Sequence, residues 1–192
     1  ANSTLKEIIE TNKNIVLDLN GKTLSYVSEN AIENNGTLKI IDSSTQKTGT
    51  IRTVATNLIT NNGNLTIENI PVVGAGEQII TNNGTLVING GKYTDAETIL
   101  NNKGTATINN NAIISVYDKY GTTMNSINNT GNLKINSATI GYVINNTEVQ
   151  PRDEIFEMGK EFAFEKANIP IGSIEQIQND NAAIININGT NV

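Results

Sequence analysis

Aliphatic and polar residues fall in a nine-residue phrase that this chain repeats. The clearest copy is Ile80-Thr81-Asn82-Asn83-Gly84-Thr85-Leu86-Val87-Ile88. The same phrase stands at Ile32 to Ile40 and Ile59 to Ile67, with looser copies at Leu100 to Ile108 and Ile127 to Ile135. A sixth opens at Ile144-Asn145-Asn146-Thr147 and breaks at Glu148, where every other copy has glycine. Leu86 and Ile88 alternate with Thr85 and Val87, which is the period of a strand with one buried face. The copies return every 20 to 27 residues. That period predicts a solenoid of stacked strands, since helical repeats need about 33 residues or more.

Aligning the copies gives columns. Leu38, Leu65, Leu86, Ala106 and Leu133 form one aliphatic ladder, and Ile40, Ile67, Ile88, Ile108 and Ile135 a second. Asn34, Asn61, Asn82, Asn102, Asn129 and Asn146 share a column, as do Gly36, Gly63, Gly84, Gly104 and Gly131. An asparagine column flanked by isoleucines predicts an internal ladder, each amide donating to the next rung. Asn-Asn-Gly reads as a turn, with glycine supplying positive φ and asparagine tolerating the left-handed region.

Taken in order, residues 1 to 30 lead in. Ser3 to Glu10 predicts a short amphipathic helix with Leu5, Ile8 and Ile9 on one face, and residues 1–14 an N-terminal cap over the first coil. Ile15 to Leu24 reads as strand and turn, with Leu17 and Leu19 one rung before Leu38 and Ile40. The two 27-residue coils carry insertions, Ser43 to Thr50 and part of Asn109 to Ser126. Insertions in a solenoid map to loops, and loops on a rigid scaffold are where binding concentrates. The expected fold is all-β, a right-handed parallel β-helix of about six to seven coils over residues 1–148. Residues 149–192 form a C-terminal cap or linker: Pro151 opens a charged segment with Phe156, Phe162 and Phe164, patterned for either a helix or a hairpin. Ala183 to Thr190 returns to a strand-turn pattern.

Composition narrows the chemistry. Cysteine, histidine and tryptophan are absent from the 192 residues. That removes thiolate nucleophiles, imidazole metal sites and Ser-His-Asp machinery. The formal net charge is −6, the lysines are scattered, and Arg52 and Arg152 are the two arginines, so no basic face for nucleic acid is expected. No apolar run is long enough for a membrane span. No cofactor is implied.

The run Asn14 to Leu24, then Ile32 to Asp42 and Gly49-Thr50-Ile51, resembles the repeat region of pectin-lyase-like right-handed parallel β-helix proteins of bacterial surfaces. The resemblance covers residues 1 to 148 and implies an extracellular or cell-surface protein, secreted as part of a larger chain. The fold hosts polysaccharide lyases, hydrolases, adhesins and spacers alike, so fold alone does not choose among them. Family lyases use calcium-binding aspartates with a basic proton abstractor, and family hydrolases use clustered aspartates. Here Asp18, Asp42, Asp95, Asp118, Glu68, Glu77 and Glu97 sit in different rungs, and the expectation for them is solvated loop charge. Asp42 with Glu68, and Glu77 with Glu97, are the pairs placed to be vertical neighbours. Thr-x-Thr occurs at Thr105-Ala106-Thr107, while Lys39, Val87 and Lys134 interrupt an ice-type column.

Sugar binding calls for aromatic platforms with polar tips. Tyr117 and Tyr120, with Asp118 and Lys119 between them, form the candidate contact patch, joined by Tyr93. The expected function is a non-catalytic, adhesin-like solenoid displaying loops to a polysaccharide or a cell-surface protein, or serving as a stalk. The alternative is a polysaccharide lyase or glycoside hydrolase.

Overall fold

The computed structural model describes residues 2–3, 7–27, 30–54, 56–74, 76–115, 125–140, 143–146, 173–179, 184–187 and 190–191. The chain winds as a parallel β-solenoid of about five turns, slightly fewer than the repeat count suggests. Each turn contributes three strands. The first face stacks Ile32–Asn34, Asn57–Asn61, Gln78–Asn82, Thr98–Asn102, Asn125–Asn129 and Val143–Asn146. The second stacks Asn14–Asp18, Thr37–Ile41, Asn64–Glu68, Thr85–Asn89, Thr105–Asn109 and the start of Asn132–Ile140. Thr23–Tyr26, Thr50–Thr53, Val72–Gly74, Lys92–Thr94, Ala112–Ser115 and the end of Asn132–Ile140 make the third. Stacking along all three faces is parallel, phrase over phrase: Leu86 lies beside Leu65 and Ala106, and Ile88 beside Ile67 and Ile108. These ladders are buried, and with Ile59, Ile80 and Leu100 from the first face they fill the tube. Farther along, Ser173–Asn179 pairs with Asn132–Ile140, and Ile184–Ile187 with Val143–Asn146, both parallel. Thr190–Asn191 then folds back antiparallel on Ile184–Ile187.

The asparagine column is internal. Asn34 donates to Asn61, Asn61 to Asn82, Asn82 to Asn102 and Asn102 to Asn129, each Nδ2 to Oδ1 at 2.7 Å. All five side chains are buried. The same amides also reach backbone: Asn82 Nδ2 donates to the Thr105 carbonyl at 3.0 Å. Asn146 stands in register with Asn129, although its side chain lies outside the described residues. At the other end the register places Ile9 above Asn34, and the Gly36 N–H occupies the Asn34 oxygen instead.

Glycine recurs in the next column for a reason other than the one the turn chemistry suggests. Gly36, Gly63, Gly84, Gly104 and Gly131 are not among the positive-φ residues. They are glycines because a Cβ at Gly84 would overlap the Gly63 carbonyl oxygen, and one at Gly104 the Gly84 carbonyl oxygen. Each turn closes on the rung before it: Asn83 N–H and Gly84 N–H both donate to the Asn61 carbonyl, at 2.7 and 3.1 Å. Left-handed asparagine sits at the corner between the second and third faces, where Asn69 and Asn110 have φ of 52° and 58°.

Two expectations for the first coil are corrected. Glu7–Ile9 is a strand, paired parallel with Ile32–Asn34, and not part of a helix. An eight-residue helix is marginal alone, whereas the exposed edge of the first rung offers ready backbone partners. Ile9 is accordingly buried and Ile8 is 60% exposed, the alternation of a strand. Ile15 and Leu17, not Leu17 and Leu19, pair with Leu38 and Ile40. Leu19 is instead buried at the corner beyond. The segment 151–166 lies outside the described residues.

Candidate functional site

Two outward features stand off this scaffold, a pinned loop and a polar face. The loop is the insertion after Thr37–Ile41. Asp42 fixes it at both ends: its carboxylate accepts from Ser44 N–H at 3.0 Å and Gly49 N–H at 2.6 Å, and from Gly21 N–H of the preceding coil at 2.8 Å. Lys47 Nζ donates back to the Asp42 carbonyl at 2.5 Å. Asp18 Oδ1 accepts from Asn20 and Ser43 N–H, each at 2.9 Å. Asp42 is therefore buried, at 7% exposure, and not the solvated loop charge its sequence position suggests. The register runs as far as Ile40 beside Ile67, and Glu68 pairs with Lys39 Nζ at 3.4 Å.

Burial opposes ionisation of Asp42, but the hydrogen bonds from Ser44, Gly49 and Gly21 outweigh it and bring its pKa to about 2, below the ordinary 3.8. Asp18 is lowered too, chiefly by Ser43. A carboxylate with a depressed folded pKa stabilises above its unfolded value and loses that contribution as pH falls through the folded one. The loop is thus fully pinned above pH 3.8 and released on acidification through about 2. Backbone amide resonances of Gly21, Ser44 and Gly49 should titrate together with that midpoint. A shared midpoint at 3.8 would mean the three hydrogen bonds do not hold the carboxylate.

The polar face is the outside of the second sheet. Thr37, Asn64, Thr85 and Thr105 occupy one exposed column, the position just after each column glycine. Thr66, Val87 and Thr107 make a half-buried column beside it. Neighbouring strands place these side chains about 4.8 Å apart along the axis and about 7 Å apart across it. Two outer amide ladders border the face. In one, Asn83 donates to Asn62 and Asn62 to Asn35, both at 2.8 Å. In the other, Asn136 donates to Asn109 at 2.6 Å, Asn109 to Asn89 at 2.8 Å and Asn89 to Glu68 at 3.2 Å. The border groups are hydrogen-bonded to one another. Among the described residues the side chains of Thr37, Asn64, Thr85 and Thr105 are not, so they remain free to bond a ligand.

The tyrosines expected at the contact patch fare differently. Tyr117, Asp118, Lys119 and Tyr120 lie outside the described residues. Tyr93 is enclosed in the core at 0% exposure and is no surface platform. It stacks in register between Val72 and Ile114, an inward column of the third face. Burial, with a smaller contribution from the Glu68 charge, pushes its phenol pKa far up, and among the described residues its hydroxyl finds no hydrogen-bond partner. Glu77 and Glu97 are exposed at equivalent positions of adjacent rungs, since Gln78 and Thr98 are paired. An apolar recess of about 420 Å³ opens at the first coil, lined by Ile8, Ile15, Leu17, Leu24 and Leu38 among others.

Aligning the third-face strands would have placed Tyr93 inside, and the column after glycine would have marked the free threonines. Both signals are in the sequence, outside the nine-residue phrase or at its edge. No family model matches the chain, and no curated protein or solved structure matches it. No helix among the described residues is long and apolar enough to cross a membrane.

Proposed function

We propose that this chain is a non-catalytic binding module, an adhesin-like solenoid of a bacterial surface that displays a polar face and loops to a neutral polysaccharide. The observation that carries the reading is the column Thr37, Asn64, Thr85 and Thr105, exposed and, among the described residues, without side-chain partners, on a sheet whose flanking amides are locked together. Neutral sugars are recognised by such groups held in fixed positions, because a rigid donor loses little entropy on binding. Asp42 supports the same reading, since it is buried and both its oxygens accept from backbone N–H groups of the loop and the preceding coil. To act on a bound polymer a general acid or base must be open to that polymer, and Asp42 is enclosed against its own loop. Tyr117 and Tyr120 remain the proposed aromatic contacts, and the likeness to pectin-lyase-like repeats supports a glycan as the partner.

The test is a panel of neutral and acidic polysaccharides, with and without calcium, scored for retention and for released reducing ends together. Retention of neutral polymers without new ends is the expected result. Turnover of any polymer would overturn the reading. Replacing Tyr117 and Tyr120 by alanine should weaken retention about tenfold or more with the melting temperature unchanged. Undiminished retention would remove those tyrosines from the contact.

A further inference from the structure

The Asn-Gly pairs among the described residues are Asn20-Gly21, Asn35-Gly36, Asn62-Gly63, Asn83-Gly84 and Asn89-Gly90. Such a pair deamidates when the glycine nitrogen attacks the asparagine Cγ. The new N–Cγ bond forms, the Cγ–Nδ2 bond breaks, ammonia leaves, and water opens the succinimide to aspartate or isoaspartate. The reaction needs a side-chain amide free to swing onto the backbone and a glycine N–H whose proton has somewhere to go.

Four of the five pairs fail the first requirement. Asn35 donates to Glu33 and accepts from Asn62. Asn62 and Asn83 are tied by the same outer ladder. Asn89 donates to Glu68 and accepts from Asn109. Their glycine nitrogens are tied as well: Gly63 N–H donates to the Asn34 carbonyl at 3.0 Å, Gly84 to Asn61 at 3.1 Å and Gly90 to Asn109 at 2.9 Å. Gly36 N–H donates to Asn34 Oδ1. Each of these carbonyl and amide acceptors is too weak a base to take a proton.

Asn20 differs on both counts. It is exposed, and its side-chain amide has no hydrogen bond among the described residues. It sits in a tight turn closed by Lys22 N–H to the Leu19 carbonyl at 2.8 Å, with φ of 44° at Asn20 and 73° at Gly21. Positive φ at both central residues is the type I′ geometry that Asn-Gly favours. Gly21 N–H, the group that must lose its proton, donates to a carboxylate, Asp42 Oδ1, at 2.8 Å.

We propose that Asn20-Gly21 is a site of spontaneous deamidation, with Asp42 as the proton acceptor. As Gly21 N closes on Asn20 Cγ its proton passes to Asp42, and from there to the departing Nδ2, so the carboxylate is regenerated and ammonia is released. Water then supplies the oxygen of the new carboxyl group. The product places a further negative charge, and in isoaspartate a longer backbone, beside Asp18 and Asp42. It therefore loosens the loop those two residues pin, and the site acts as an age-dependent release on that loop. This inference is independent of any ligand.

The full chain is incubated warm at mildly alkaline pH, native and in concentrated urea, and conversion at each asparagine is followed by site-resolved peptide mapping. In the native protein Asn20 should convert at least about tenfold faster than Asn35, Asn62, Asn83 or Asn89, because each of those must first break its ladder bonds. In urea the five rates should converge, since the local sequence at every site is Asn-Gly. Asp42→Asn should slow Asn20 by about tenfold or more. Native Asn20 converting no faster than the ladder residues would overturn the proposal, and an Asp42→Asn rate matching the wild type would do the same. The native-against-urea comparison uses the unmodified chain and stands even if the variant folds poorly.

Discussion

Gly84→Ala should cost about 4 kcal/mol, enough to lower the melting temperature by about 10 °C. The added methyl meets the Gly63 carbonyl oxygen and the Asn62 backbone, neither of which can rotate away. Rungs are held at their spacing by hydrogen bonds along all three faces, so relief at one corner opens the ladder across the turn. Those bonds include Gly84 N–H to the Asn61 carbonyl and Thr85 N–H to the Gly63 carbonyl. The effect comes from contact and not from backbone conformation, because Gly84 is not a positive-φ residue. Thermal unfolding of Gly84→Ala beside Thr85→Ala, which alters an exposed position one residue away, checks the size. A Gly84→Ala melting temperature within about 2 or 3 degrees of the wild type, a shift of about 1 kcal/mol, would show that the rungs can separate without penalty.

Asn82→Ala should cost about 3 kcal/mol. It removes the donor to Asn102 Oδ1 and to the Thr105 carbonyl, both in the interior, and the acceptor for Asn61 Nδ2. Asn61 keeps the Gly63 and Thr85 carbonyls, which is why the loss is not larger. Asn82→Asp separates the hydrogen-bonding contribution from shape. The side chain still fits, but it sets an acceptor against Asn102 Oδ1 and must bury a charge or take up a proton. It should destabilise at least as much as alanine at neutral pH and recover partly in acid. Chemical denaturation at two pH values reads both variants. Equal stability of wild type and Asn82→Ala would mean the ladder is a consequence of stacking and contributes nothing to it.

Most of the stacking is legible in the sequence because residues that repeat in place must lie above one another. Asn34, Asn61, Asn82, Asn102 and Asn129 need no other information to be read as a ladder, nor do the leucine and isoleucine columns beside them. The first coil reads two residues out of register because it lacks the phrase. Ile9 stands where asparagine should, and in an alternating strand Leu17 and Leu19 have the same spacing as Ile15 and Leu17, the pair that stacks on Leu38 and Ile40. The glycine column is visible but its cause is not, since a turn and a close approach leave the same residue in a sequence. Sequence position misplaces Asp42 for a related reason. Its partners are Gly21 of the preceding coil and Ser44 and Gly49 at the two ends of its own loop, and only the fold brings their N–H groups to one carboxylate. Tyr93 passes for a surface residue because the third face has short strands with little repetition, Val72–Gly74 and Lys92–Thr94 among them. For the site, the sequence points to tyrosines and the structure adds the free threonine column, whose meaning depends on knowing which neighbours are already bonded.

Everything functional proposed for the chain rests on a rigid scaffold held by two internal columns, with display confined to the outside. Native-state amide hydrogen exchange measures that directly. The N–H groups of Asn62, Gly63, Asn83, Gly84, Lys103 and Gly104, which donate to the ladder carbonyls of Asn34, Asn61 and Asn82, should exchange only through global unfolding and share one slow rate. The amides of Thr45, Gln46 and Thr48 in the pinned loop should exchange far sooner. Column amides that exchange as fast as the loop would contradict the scaffold, and with it the display surface built on it.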